Sequence, residues 1–177
     1  MNIEPYSPQW EKDVRAIALA VSSNPDKTPQ EQEDQYNTYL AYFLDHEPAH
    51  CFVALSDGRP VGYIVGTCEP DKYLSAIPAY VSRLADPAPL RHEIQAVTAM
   101  ADRCPAHLHI NILPAGQGKG TGRALLAAFE ASIGHQPVFL GVRKDRPQAI
   151  RFYEKNGFCR YKEDEGGYTY VKDGQTE

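Results

Sequence analysis

Residues 113–129 read LPAGQGKGTGRALLAAF: four glycines and two bases running into an apolar helical pattern. Glycines let backbone N–H groups approach a ligand with no Cβ in the way, and a helix start adds unpaired donors and partial positive charge. That combination suits a phosphate, and a pyrophosphate best, with Lys119 and Arg123 supplying charge at its edge. Two familiar phosphate loops are excluded by spacing. No Gly-Lys-Ser/Thr follows a glycine at the Walker distance, and the glycines run G-x-G-x-G-x-G rather than G-x-G-x-x-G. The pattern that does fit is Q-x-x-G-x-G, carried by Gln117, Gly118, Lys119, Gly120, Thr121 and Gly122.

Immediately upstream, AHLHINIL alternates as a strand does, with Leu108, Ile110 and Ile112 on one face and His107, His109 and Asn111 on the other. A histidine with an ordinary pKa near 6.5 suits a base at neutral pH. The same residues also read as polar positions on a half-buried strand, or as an H-x-H metal chelate, for which no third ligand is in view. Asn111 can orient a water but cannot be a base.

Charge narrows the ligand. The chain carries a net −5, which argues against a general binder of nucleic acid or of anionic membranes. Residues 119–151 nevertheless hold six bases against two acids, a net +4 that leaves −9 for the rest. One basic region on an acidic protein points to a discrete anionic ligand, or to a solvated face that happens to be basic. At 42% hydrophobic and 23% charged, the composition is that of an ordinary globule. The 177 residues are expected to form one domain over their whole length. No apolar run approaches a membrane span, and the opening MNIEPYSPQW has neither the basic nor the apolar region of a secretion signal. Cys51, Cys68, Cys104 and Cys159 are scattered with no C-x-x-C pair and read as buried thiols in a reducing compartment, a disulfide pair or a metal set being the alternative, so a cytoplasmic protein is expected.

The elements that must position these residues follow from periodicity. An extended start precedes a helix opened by Ser7 and Pro8, with Trp10, Val14, Ile17, Ala18 and Val21 inward. A second helix is expected over residues 29–45. Residues 51–55 and 61–67 form a hairpin around Asp57-Gly58. In the proline-punctuated stretch 69–104, Ile94, Val97, Thr98 and Ala101 suggest one helix. Then come the histidine strand, the glycine turn, a helix over 120–132, the strand PVFLGV, a helix from Pro147 to the Gly157 stop, and two closing strands. The order β-α-α-β-β-insert-β-α-β-α-β-β predicts an α/β (α+β) fold: a mixed, mostly antiparallel sheet of six to seven strands flanked by helices, with a helical insert before the fourth strand.

With its Q-x-x-G-x-G turn between strand and helix, the chain resembles the GNAT superfamily of acyl-CoA N-acyltransferases, in which this motif binds the pyrophosphate of CoA. DRPQAIRFYEKNGF, residues 145–158, is similar to that family's fourth-helix motif through Ala149, Phe152, Tyr153, Gly157 and Phe158. The two motifs lie about thirty residues apart on the expected elements, and the element order covers essentially the whole chain. Within the superfamily, PAHLHINILPAGQGKGTG also looks like the branch related to the acetyltransferase-like domain of protein O-GlcNAc hydrolases, whose members can keep the fold without transferase activity.

The resemblance implies acetyl-CoA as co-substrate, with no metal, bound by Ile112, Leu113, Gln117, Gly118, Lys119, Gly120, Thr121, Gly122, Arg123 and Tyr153. It further implies that Tyr153 donates a proton to the departing thiolate and that a backbone N–H near Leu113 polarises the thioester. His107 stands roughly where family members often place a carboxylate base. The family often has Asn where Arg146 stands here; Arg cannot accept a hydrogen bond, so the cap is expected to shift to Asp145, and Arg146 to reach a CoA phosphate. His109 and Asn111, with Tyr73, Tyr80 and Arg83 of the insert, are candidates to touch the acceptor, although packing and solvation explain the last three equally well.

The implied activity is acetyl transfer to a primary amine by direct attack in a ternary complex, since no cysteine lies in either motif. The alternative is a CoA-sensing or protein-binding module on the same fold. The acceptor is a small-molecule or peptide amine, no nucleic-acid or membrane partner is expected, and a homodimer is possible.

Overall fold

A computed structural model describes residues 1–24 and 26–174. The chain opens with β1 (Asn2–Pro5), and a single 3-10 turn at Pro8–Trp10 leads into α1 (Glu11–Ala20). Ser7 is extended as expected, but its Oγ caps nothing and has no hydrogen-bond partner. α2 (Pro29–Tyr39) begins with a capping box: Thr28 Oγ1 accepts from the Glu31 N–H while the Glu31 carboxylate accepts from the Thr28 N–H at 2.7 Å.

The helix expected over 29–45 is two helices, because Leu40 leaves helical geometry at φ −130° before α3 (Ala41–His46). The break has a packing reason. Ala41, Tyr42, Phe43 and Leu44 are all buried, whereas one continuous helix would bury only a stripe.

β2 (Phe52–Ser56) and β3 (Arg59–Thr67) form the expected hairpin, with Asp57 and Gly58 both at positive φ as a tight turn between twisted strands requires. The insert holds three helices rather than one: α4 (Pro70–Ala76), α5 (Pro78–Val81) and α6 (Ala88–Met100). Each carries a proline in its first turn, so prolines that looked like loop punctuation are helix starts. β4 (Ala106–Ile112), α7 (Thr121–Ser132), β5 (Val138–Arg143), α8 (Pro147–Lys155), β6 (Cys159–Glu163) and β7 (Gly167–Lys172) complete the chain.

The seven strands form one sheet in the order β1-β2-β3-β4-β5-β7-β6, antiparallel except for the β4–β5 pair. That pair is short. Only Ala106 with Val138 and His107 with Phe139 are in register, and beyond them the strands part. One face of the sheet carries a core built by α1, α3, α4 and α6 with Phe43, Tyr73 and Phe139; the other carries Leu125, Leu126, Phe129 and Leu140 under α7. Each of the fully buried α7 side chains contributes roughly 1.5–3 kcal/mol. α7 also lies unusually close to β3. A Cβ on Gly66 would stand 2.4 Å from the His107 carbonyl oxygen and 2.5 Å from the Phe129 ring, so that glycine sets the seat of the helix.

Candidate active site

The parting of β4 and β5 opens a cleft of about 2080 Å³ that passes through the sheet. A drug-sized ligand fills roughly 300–1,000 Å³, so this volume suits two reactants meeting. On the α7 side its wall is the glycine turn. Gly118 and Gly120 take φ of +73° and +80°, with nothing within 4 Å of where a Cβ would stand. Gly120 is the N-cap of α7, and the first loop carbonyl the helix reaches is Gly120 O, bonded by the Ala124 N–H at 3.0 Å. The earlier N–H groups of that turn are the ones a helix leaves to other acceptors.

The loop is braced from within. Thr121 Oγ1 donates to Gly116 O, and Gln117 Nε2 donates to Ile112 O at 3.0 Å. Gly122 must lack a side chain because α8 packs onto this turn, with the Phe152 ring 2.6 Å from a Cβ placed there. Gln117, Gly118, Gly120, Thr121, Gly122, Arg123 and Arg146 all line the cleft; Lys119 is exposed outside its lining.

Two expectations about this half need revision. The Leu113 N–H donates to Val61 O at 2.8 Å and is not available to a substrate oxygen. Because successive N–H groups of a strand point opposite ways, the Ile112 N–H turns toward the gap instead. Asp145 caps nothing: α8 starts without a side-chain cap, and the Asp145 carboxylate accepts from Nε and Nη2 of Arg143, which keep it below the usual carboxylate range. Arg146 extends one guanidinium nitrogen to Val21 O at 3.4 Å, tying the end of α1 to the mouth.

Tyr153 lines the cleft from α8 and is 8% exposed. Burial pushes its phenol above the ordinary value of 10, so the hydroxyl keeps its proton at neutral pH.

On the opposite face, His109 and Asn111 line the cleft as their strand positions predict. Asn111 Nδ2 donates to the Tyr63 hydroxyl at 2.7 Å, leaving its carbonyl oxygen free to accept. His109 Nε2 stands 3.7 Å from a Glu93 carboxylate oxygen, and both side chains are less than a quarter exposed. Burial raises the Glu93 pKa to about 7 and lowers that of His109 to about 4, so the imidazole is neutral where the carboxyl begins to ionise.

His107 does not reach the cleft. It is 2% exposed, boxed by the rings of Phe43, Tyr73 and Phe139, with neither ring nitrogen hydrogen-bonded. Burial and the neighbouring His109 depress its pKa to about 3. A neutral imidazole walled off by aromatic rings is a poor base for a group in the cleft. Among the described residues no group of three His, Cys, Asp or Glu side chains is placed to hold an ion.

The insert residues are structural too. Tyr73 is buried against Tyr42 and His107, Tyr80 donates to Asp45 at 2.7 Å, and Arg83 lies over the Tyr80 ring. None of the three lines the cleft.

The residue that sequence reasoning missed is Glu93. Its signal was present: Leu90, Glu93, Ile94 and Val97 follow the i, i+3, i+4, i+7 spacing of one helix face, so a carboxylate sits on the inward stripe of α6. Tyr39, from the end of α2, joins it at the cleft wall, edge-on to the His109 ring at 5.4 Å.

Known proteins share this fold. The chain is 26% identical over 167 residues to N-alpha-acetyltransferase 30 of Schizosaccharomyces pombe, covering 92% of this chain and 86% of the relative. The fold is that of the crystal structure of SsHAT, with a TM-score of 0.83 at 24% identity over 97% of this chain and 96% of the other. It is also that of the PaiA N-acetyltransferase of Thermoplasma acidophilum, solved in complex with coenzyme A, with a TM-score of 0.63 at 16% identity over 97% and 98% of the two chains. The model of the acetyltransferase (GNAT) family matches residues 16–158, which takes in the parted strands, the glycine-capped helix and the α8 tyrosine. The chain belongs to that family of acyl-CoA-dependent acetyltransferases.

Proposed function

We propose that the protein transfers an acetyl group from acetyl-CoA to a primary amine, by direct attack while both are bound. The observation that carries this reading is the division of the cleft. A phosphate cradle with open backbone lies on one face of the sheet, an ionisable carboxyl lies on the other, and the gap between β4 and β5 joins them. The glycine turn, with Arg123 and Arg146, fits a pyrophosphate: its positive-φ glycines leave room for phosphate oxygens at a helix start. A thioester held there leads into the gap.

On the other face an attacking amine must lose a proton. An alkyl ammonium with pKa about 10.4 costs roughly 4.6 kcal/mol to deprotonate at pH 7, and an α-ammonium near 8 costs about 1.4. Glu93, with a pKa of about 7, is matched to accept that proton directly or through one water. The Ile112 N–H supports the oxygen that gains charge as the carbonyl is attacked. Tyr153, protonated and enclosed, supplies a proton to the thiolate that leaves. A neutral His109 stands beside Glu93, 3.7 Å from a carboxylate oxygen.

The amine named for the fission-yeast relative is an α-amine, and the modest cost of deprotonating an α-ammonium agrees with Glu93 as base. The test is release of free thiol from acetyl-CoA on mixing with a panel of peptides, amino-acid amides and alkyl amines, with the acetylated product identified by mass. Thiol release dependent on the amine is expected. A chain that binds acetyl-CoA in a thermal-shift assay yet acetylates nothing in the panel would instead be a binding module on this fold.

A further inference from the structure

Gly141 lies in the interior of β5, where a glycine costs strand stability and offers nothing to pack. The fold itself gives no reason for it. Its φ is not positive, it is exposed, and no atom lies within 4 Å of where its Cβ would stand. It lines the cleft on the same face as Phe139, beside the parted β4. Its register partner on β7 is Thr169, and the next pair on that face is Arg143 with Gly167. The floor here is bare backbone at Gly141 and Gly167, bordered by the side chains of Thr169 and Arg143.

Two further features point to what lies on it. Past Phe139 no β4 residue is in register with β5, so every second β5 residue turns its N–H and C=O into the gap without a strand partner among the described residues. Elsewhere on the cleft wall, Gln35 donates from Nε2 to Ala18 O at 2.9 Å, and its Oε1 is enclosed with no donor among the described residues. The Asn111 carbonyl oxygen is likewise free. Both side chains line the cleft, and of the two oxygens it is that of Asn111 that a cleft ligand can reach.

We propose that Gly141 sets which acceptors the site takes: the segment following the reacting amine lies extended across its bare backbone, and the acceptor is the N-terminus of a peptide. A peptide supplies an N–H group to Asn111 and a main chain flat enough to lie against β5. A simple alkyl amine brings only its ammonium. This inference rests on the acetyltransfer reading above.

The experiment compares two acceptors with the same α-amine, alaninamide and tetra-alanine amide, in the wild type, Gly141→Ala and Gly141→Val. Open space above the position and the strand preference of Val make folded variants the expectation, and an unchanged thermal shift with acetyl-CoA checks it. Wild type is expected to prefer the tetrapeptide. Val is expected to lower kcat/KM for the tetrapeptide by about tenfold through KM while changing alaninamide by less than about twofold, with Ala in between. Equal loss with both acceptors, no loss with either, or a wild type that prefers alaninamide overturns the inference alone. A wild type that releases no thiol with any amine overturns the acetyltransfer reading, and this inference with it.

Discussion

Replacing Glu93 with Gln keeps the shape of the side chain and removes its charge. The Glu93 pKa of about 7 stands above the 4.5 of a free glutamate, because burial disfavours the ionised form. Folded protein therefore holds more protons than unfolded protein between those values, and the group's contribution to stability falls as pH rises through that window. At 1.36 kcal/mol per pH unit the full shift is worth at most about 3 kcal/mol. Since 24% of the side chain stays exposed, partial hydration brings the expected value down to about 1–2 kcal/mol. Glu93→Gln should accordingly be more stable than wild type at pH 8 by about that amount, and equally stable at pH 4.5.

Its activity should move the other way. Loss of a positioned base costs about 10²–10⁴ in rate. Wild-type kcat/KM should climb as pH rises through about 7; in the variant that inflection should vanish, leaving the ionisation of the amine itself near pH 8. Chemical denaturation at the two pH values and thiol-release kinetics from pH 5.5 to 9 measure both effects. A variant within twofold of wild type and with the same pH profile would refute the base assignment. So would a variant whose loss of rate is matched by loss of acetyl-CoA binding.

Tyr153→Phe should lower kcat by about 10²-fold or more while leaving acetyl-CoA affinity within about threefold, by isothermal titration; equal loss of both would remove its acid role. Gly120→Ala places a side chain at φ +80°, which costs about 1–2 kcal/mol of stability; it should also weaken acetyl-CoA, read by thermal shift with and without ligand. His107→Phe should leave kcat/KM nearly unchanged, against a loss of about 10²-fold or more if His107 were the base. The same variant should alter acid sensitivity. The folded pKa of about 3 lies below 6.5, so unfolding takes up a proton between those values and stability is lost as pH falls; Phe should flatten the stability slope between pH 4.5 and 6 by about 1.4 kcal/mol per unit.

Local signals in the sequence were strong wherever one residue type has one physical use. Asp57-Gly58 marked the hairpin because both positions need positive φ, and Gly120 marked the start of α7 for the same reason. Gly157, at φ +87°, marked the end of α8. What sequence reading missed depends on depth and direction in the folded chain. Leu40 has nothing local that breaks a helix; the break comes from burying α3 on all sides. Prolines 70 and 78 sit equally well in loops and at helix starts, and only packing against α6 and the core selects the second. Alternation put His107 and His109 on the same face, but not at the same depth. His107 lies where β4 is still paired with β5 and closed over by Phe139, whereas His109 lies two residues further, where the strands have parted.

That difference of two residues is the physical reason for proposing that the base is supplied by another element. While β4 and β5 stay in register, a side chain on that face is sealed into the aromatic core, and an ionisable group there can only be held neutral. Past the last pair the same face opens to the cleft, but a residue on β4 at that point already borders the gap through which a thioester must enter. A base has to approach from across the opening. α6 crosses there, and it presents Glu93 from an otherwise apolar stripe. Burial on one side raises the carboxyl to about 7, and the opening on the other gives it a route to release its proton. A carboxylate on β4 at position 107 would have the burial without the route, and one on the rim at Asp164 has the route without the burial: its pKa lies below the ordinary value because the Gly166 and Gly167 N–H groups stabilise the anion. Glu93 combines a pKa of about 7 with access to the gap.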